Sequence, residues 1–166
     1  MSKYSQFNEE ELLEPLLPKK GFFVEIGCLK DHKFSNTKWL HDKGWKGLWF
    51  DMESHEGIIQ QKITADNINK VLKKYKVPHN LDLMSIDIDG CDFYVFQAME
   101  WKPKILVIEY NKNMKEGVME RDDDYVWKGG WAFGASKDAM VKLATLKGYE
   151  LVAENESNLI FKCLNQ

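Results

Sequence analysis

The chain has 166 residues, 44% of them hydrophobic and 30% charged, with a formal net charge of −3. That length suits one domain with a single core, and the charge balance lacks the basic face that nucleic-acid binding calls for. The apolar runs are strand-sized, too short to span a membrane, and Met1-Ser2-Lys3-Tyr4-Ser5-Gln6-Phe7 lacks the apolar core of a signal peptide. Cys28, Cys91 and Cys163 are widely spaced with no zinc-ligand pattern, as reduced thiols in a cytoplasmic protein would be. The expectation is a single domain over residues 1–166 with neither nucleic acid nor membrane as partner; nothing specifies an oligomeric state.

Glu9 to Leu17 reads as a short acidic helix stopped by Pro18, and Phe22 to Ile26 as a strand closed by Gly27. Ser35 is placed to cap a helix running through Trp39 and Leu40 to Lys43, with Gly44 as its stop. Gly47 to Phe50 is a second strand ending at Asp51, and a weaker third covers Gly57 to Ile63. Thr64 or Asp66 could cap a helix carrying Ile68, Val71, Leu72 and Tyr75 at helical spacing, ended by Pro78. A fourth strand runs Leu81 to Ile86, a short helix Asp92 to Met99, and a fifth strand Lys104 to Glu109. Lys112 to Gly130 is polar and without period. Ser136 to Lys147 is a helix stopped by Gly148, and Tyr149–Ala153 and Asn158–Cys163 form a closing hairpin around Asn155 to Ser157. Strands alternating with helices predict a three-layer α/β sandwich, mostly parallel, with an antiparallel edge strand.

The most informative stretch is Asp82 to Asn111. Two apolar strand-length runs end in polar groups, one in Asp87 and Asp89, the other in Glu109 and Asn111. In an open parallel sheet the carboxyl ends of the strands form the ligand crevice. Carboxylates and an amide there suit a hard cation or a hydroxyl-bearing ligand, the alternative being ordinary solvated strand ends.

The first strand carries Glu25 two residues before Gly27, the start of a dinucleotide-type or methyl-donor loop. The further glycines of a pyrophosphate-binding fingerprint are missing, which disfavours a dinucleotide. Asp51 ends the second strand, where a carboxylate can accept both hydrogen bonds of a ribose diol or sit solvated in a turn. Asn67 could lie beside an adenine ring or only help to cap a helix. His32 lies in the first loop and could face a substrate. The loop Gly129-Gly130-Trp131-Ala132-Phe133-Gly134-Ala135-Ser136 either stacks on a sugar ring or staples the last helix. Glu120-Arg121-Asp122-Asp123-Asp124 reads as a solvated acidic loop.

Taken together, several segments resemble the FkbM-type family of S-adenosylmethionine-dependent methyltransferases. They are Val24-Glu25-Ile26-Gly27, Ser35-Asn36-Thr37, Gly44-Trp45-Lys46-Gly47-Leu48, Ser85-Ile86-Asp87-Ile88-Asp89-Gly90 with Asp92, Ile108-Glu109-Tyr110-Asn111, Phe133-Gly134-Ala135-Ser136 and Gly148-Tyr149-Glu150-Leu151-Val152. The resemblance implies a Rossmann-like, mostly parallel seven-stranded sheet with an antiparallel C-terminal hairpin, which this chain departs from by being trimmed between its second and third strands, where Asp51 to Ile63 leaves little room for a helix. It implies methyl transfer from S-adenosylmethionine to a hydroxyl of a small-molecule or glycan acceptor, a sugar above all. Glu25, Gly27, Cys28, Ser35, Asp51, Met52, Asn67 and Asp87 would line the donor. Asp89 and Asp87 would be catalytic, with Asp87, Glu109 and Asn111 as ligands if a divalent cation such as magnesium takes part. This chain has Lys30-Asp31 where the family has an acid followed by glycine. The alternative function is a non-catalytic module that keeps the fold to bind a ligand or partner.

Overall fold

A computed structural model describes residues 4–130 and 133–165. In chain order the elements are α1 (Glu9–Leu13), a 3₁₀ turn (Glu14–Leu16), β1 (Phe22–Ile26), α2 (Lys38–Asp42), β2 (Lys46–Asp51), β3 (Ile59–Gln60), α3 (Ile68–Lys74), β4 (Leu83–Ile86), α4 (Asp92–Ala98), β5 (Ile105–Glu109), α5 (Lys137–Leu146), β6 (Tyr149–Glu154) and β7 (Asn158–Cys163). Among the described residues no helix is long and apolar enough to cross a membrane.

The seven strands form one sheet in the order β3-β2-β1-β4-β5-β7-β6. β1 pairs in parallel with both β2 and β4, and β4 with β5; β7 runs antiparallel to both β5 and β6. The expected α/β architecture and C-terminal hairpin are present, with one correction. The antiparallel strand is β7, and it lies inside the sheet, because the hairpin folds back to insert β7 against β5 and leaves β6 at the edge. The trimmed region is also clear, since among the described residues no helix lies between β2 and β3, and β3 itself has only two residues.

Side-chain alternation along the strands builds two cores, as the period of two requires. Val24, Ile26, Met84, Ile86, Leu106 and Ile108 face Ile68, Leu72, Val95, Phe96 and Met140 of the helices on one side. Phe23, Leu83, Ile105 and Val107 face Leu13, Trp39, Leu40 and Trp45 on the other. Glu25 shares the parity of Phe23 and is 4% exposed, so a carboxylate is buried in the second layer. Gly47 allows that layer to close, because a β-carbon there would lie 2.4 Å from the Phe23 ring.

Two helix starts depart from expectation: α2 begins after Thr37 and not directly after Ser35, and α3 after Asn67. Neither the Thr64 nor the Asp66 side chain caps α3. The Thr64 carbonyl accepts the Ile68 N–H, while the exposed Asp66 carboxylate pairs with Arg121 at 2.9 Å. Ser35 does satisfy the start of α2: its hydroxyl accepts the N–H groups of Thr37 and Lys38. Ser136 caps α5 by accepting the Ala139 N–H.

Candidate active site

Sheet order reverses at the β1–β4 boundary, where open α/β sheets bind ligands at the strands' carboxyl ends. A cavity of about 490 Å³ lies there, large enough for a drug-sized ligand. Gly27 after β1, Asp51 of β2, Asp87 after β4 and Glu109 of β5 all line it.

Glu25 holds the first loop in place. Its carboxylate accepts the Ser35 hydroxyl at 2.6 Å, the Thr37 hydroxyl at 2.5 Å and the Asn36 N–H at 2.9 Å. Burial raises its pKa, and these donors oppose the rise. Glu25 also contributes to the cavity wall. Ser35 does not line the cavity; the structure spends it on Glu25 and on α2. Cys28 is likewise withdrawn: it is 1% exposed, with its sulfur 3.3 Å from His32 Nδ1, and burial pushes its thiol far up. His32 packs against Trp49, the rings tilted at 53° with centroids 4.3 Å apart, and does not line the cavity; burial lowers its pKa. Asn67 is a turn residue, accepting the Thr64 N–H and donating to the Lys62 carbonyl, and it too lies off the cavity.

Gly27 has φ of 90°, a left-handed conformation that favours glycine. The close approach it permits is to the protein's own backbone, since a β-carbon there would meet the Asp87 carbonyl oxygen. The non-glycine loop positions solve the same problem at a cost. Asp31 adopts φ of 58°, and short polar side chains tolerate this region best.

Asp51 and Met52 stand at the cavity wall. Asp51 Oδ1 accepts the Glu53 N–H at 2.7 Å, and its other oxygen carries no hydrogen bond among the described residues. Burial raises the Asp51 pKa, partly offset by the Glu53 N–H and by the nearby His55.

Asp87, Asp89 and Glu109 each offer an oxygen within 4.8 Å of the others. Desolvation and mutual repulsion raise the pKa of Asp87 and Glu109 well above the ordinary carboxylate range, and a hydrogen bond to Asp87 adds to the rise at Glu109. Three carboxyl groups this close cannot all ionise without a compensating charge, so the cluster holds a proton or a cation. Asp89 is the exposed member, at φ of 56°, with no side-chain hydrogen bond among the described residues; burial and Asp51 raise its pKa. Asp92 props this loop open by accepting the N–H groups of Ile88 and Gly90. Asn111 does not join the cluster at the cavity. It is 1% exposed and its amide is tied to the Phe133 carbonyl and the Asn113 N–H.

The far wall comes from a segment with no periodic pattern in the sequence. Asp122, Asp123, Tyr125 and Trp127 line the cavity, so the acidic run is more than a solvated loop. Phe133 joins them, its ring 6.3 Å from that of Trp127. Trp131 and Ala132 of the aromatic loop lie outside the described residues. A usable signal was present: Tyr125 and Trp127 are aromatic residues in a run otherwise rich in charge, just ahead of two glycines.

No curated protein and no solved structure matches the chain. A family model described as the methyltransferase FkbM domain matches residues 20–150, from the turn before β1 into β6. That span contains both carboxylate-bearing strand ends, the glycine turn and the whole cavity-lining segment between β5 and α5, and the chain belongs to the FkbM methyltransferase family.

Proposed function

We propose that this protein transfers a methyl group from S-adenosylmethionine to a hydroxyl of a sugar or glycan. The observation that carries this reading is the division of one cavity into two chemically distinct sides. On one, Asp51 presents an oxygen suited to a ribose diol, beside Met52 and the loop held by Glu25. On the other, Asp89 presents an exposed carboxylate next to Gly90.

The donor, when bound, supplies a methyl group already activated on a positively charged sulfur. The chain must then position the acceptor and take its proton. An alcohol is a weak nucleophile at neutral pH, and a base within hydrogen-bond reach contributes about 10²–10⁴-fold. Asp89 is the base in this account. The hydroxyl proton passes to its carboxylate as the new carbon–oxygen bond forms and the carbon–sulfur bond breaks. Burial and the nearby Asp51 raise its pKa, which strengthens it as a base. Asp87 and Glu109 share a proton beneath it, which spares Asp89 a second full negative charge.

A second reading is favoured by the same three carboxyl groups. Their hard oxygen donors fit magnesium or a similar cation, with Asp87, Asp89 and Glu109 as its holders and Asn111 excluded by its backbone bonds. Such an ion would lower the acceptor pKa. The experiment is transfer of labelled methyl to a glycan panel by wild type and Asp89→Asn, each with and without a chelator. A loss of about 10² or more in turnover with unchanged donor affinity supports the base. Full activity in the variant removes it, and loss of wild-type activity on chelation selects the cation.

A further inference from the structure

The segment from Met119 to Trp127 has no regular secondary structure, yet it is fastened at several points. The Tyr94 hydroxyl donates to the Met119 carbonyl at 2.7 Å, and the Cys91 thiol to the Asp122 carbonyl at 3.1 Å; both donors lie at the start of α4. Lys62 pairs with Asp124 at 2.6 Å, and Arg121 with Asp66, which ties the same segment to the approach to α3. The Tyr125 ring closes over Gly90, where a β-carbon would lie 2.7 Å from it. The segment is therefore a strap held beside Asp89, fastened at one end of its reach to the start of α4 and at the other to Lys62, the neighbour of the Gln61 whose N–H bonds the Asp51 carbonyl.

The strap brings two kinds of group to the cavity. Trp127 is 48% exposed and meets Phe133 edge-on, leaving aromatic surface open to a ligand. Asp122 and Asp123 bring negative charge. Asp123 is offset by Arg121, but among the described residues the Asp122 carboxylate accepts only the Asp124 N–H. Across the whole cavity eight carboxyl groups stand against two lysines, and one of those, Lys62, is already paired with Asp124. A wall of one sign repels like charge and favours neutral or cationic ligands.

We infer that the strap is the acceptor-selecting wall, admitting uncharged or amine-bearing sugars against Trp127 and rejecting those with a carboxylate or phosphate. The inference rests on the methyl-transfer reading and deepens it by the charge class of the acceptor. A shape-only pocket would not discriminate between a neutral sugar and its acid of nearly equal size. The strap makes that discrimination electrostatic, and it places the charge on residues outside the Asp87–Asp89–Glu109 cluster.

The test uses a panel of sugars in matched neutral, amino, uronic and phosphorylated forms. Binding to the protein loaded with S-adenosylhomocysteine is read by saturation-transfer NMR, and methylation by labelled S-adenosylmethionine. The neutral or amino form should be preferred over its anionic counterpart by about tenfold or more. Asp122→Asn with Asp123→Asn should narrow that ratio severalfold. Trp127→Ala should weaken acceptor binding about tenfold while leaving S-adenosylhomocysteine affinity within about twofold. Equal or better use of the anionic forms overturns the inference, as does an unchanged ratio in the double variant. Failure of every sugar form to bind the loaded protein overturns it too, with the donor reading intact. Failure of S-adenosylhomocysteine to bind at millimolar concentration defeats the methyl-transfer reading itself, so the two failures are distinct.

Discussion

A β-carbon on Gly27 would lie 1.6 Å from the main-chain oxygen of Asp87. The first loop and the acidic end of β4 thus touch through bare backbone, and the Asp87 N–H completes the contact by donating to the Ile26 carbonyl at 3.0 Å. Gly27 is at once a left-handed turn residue and a contact that admits no side chain. Gly27→Ala should lower stability by about 3 kcal/mol or more, since it adds a steric clash to backbone strain. Urea denaturation checks this; a loss under about 1 kcal/mol would show that β1 and β4 can separate at their ends at little cost.

Glu25 is the second anchor. Glu25→Ala removes an acceptor from two hydroxyls and leaves the buried Asn36 N–H without its carboxylate. Charge-assisted hydrogen bonds of this kind are worth about 1.5–3 kcal/mol each, so destabilisation of about 3 kcal/mol or more is expected. Because the same loop reaches the cavity through Gly27, donor affinity should fall with stability. Thermal unfolding with and without S-adenosylhomocysteine measures both; a variant with wild-type stability would contradict the anchoring role.

The alternation of strands and helices, the hairpin and the polar strand ends were all legible in the sequence, because period-two patterning and strand-ending acids are local features. What each loop residue does was not legible. Ser35, Cys28 and Asn67 sit where donor-binding residues would sit, yet their partners are Glu25, His32 and the Thr64 turn. Those choices depend on which way a loop folds back, and sequence spacing does not encode that. The insertion of β7 between β5 and β6 is a long-range pairing and was invisible for the same reason. The strap was missed because its side chains follow no period; its position comes from tertiary fasteners such as Tyr94 and Lys62.

The first loop carries Lys30-Asp31 where a glycine would be the easier fit to the backbone. Asp31 sits in the left-handed region at φ of 58°. Asp31→Gly relieves that strain and loosens the unfolded chain, two effects of similar size, so stability should change by less than about 1 kcal/mol. Donor affinity should stay within about threefold of wild type. Calorimetry of the variant checks it; a gain of about tenfold or more would mean that Asp31 itself obstructs the donor.

Burial pushes the Asp92 carboxyl up to about 6 from an ordinary value of 3.8, against the pull of the Ile88 and Gly90 N–H groups. The folded protein therefore keeps a proton that the unfolded chain has released. The Asp92 contribution to stability is greatest below the unfolded pKa, declines as pH rises through the interval between the two values, and is flat above it. Urea midpoints from about pH 4 to pH 7 should fall more steeply for wild type than for Asp92→Asn. Parallel curves would place the Asp92 pKa near its ordinary value.

Donor binding is the most direct test, by titration calorimetry of S-adenosylhomocysteine into wild type and Asp51→Asn. The account predicts micromolar binding to wild type and a loss of about tenfold or more in Asp51→Asn, which keeps an acceptor for the Glu53 N–H but replaces the oxygen left for a ribose diol with an amide nitrogen that cannot accept. No heat with wild type at millimolar ligand would contradict the account and leave a methyltransferase fold used as a binding module.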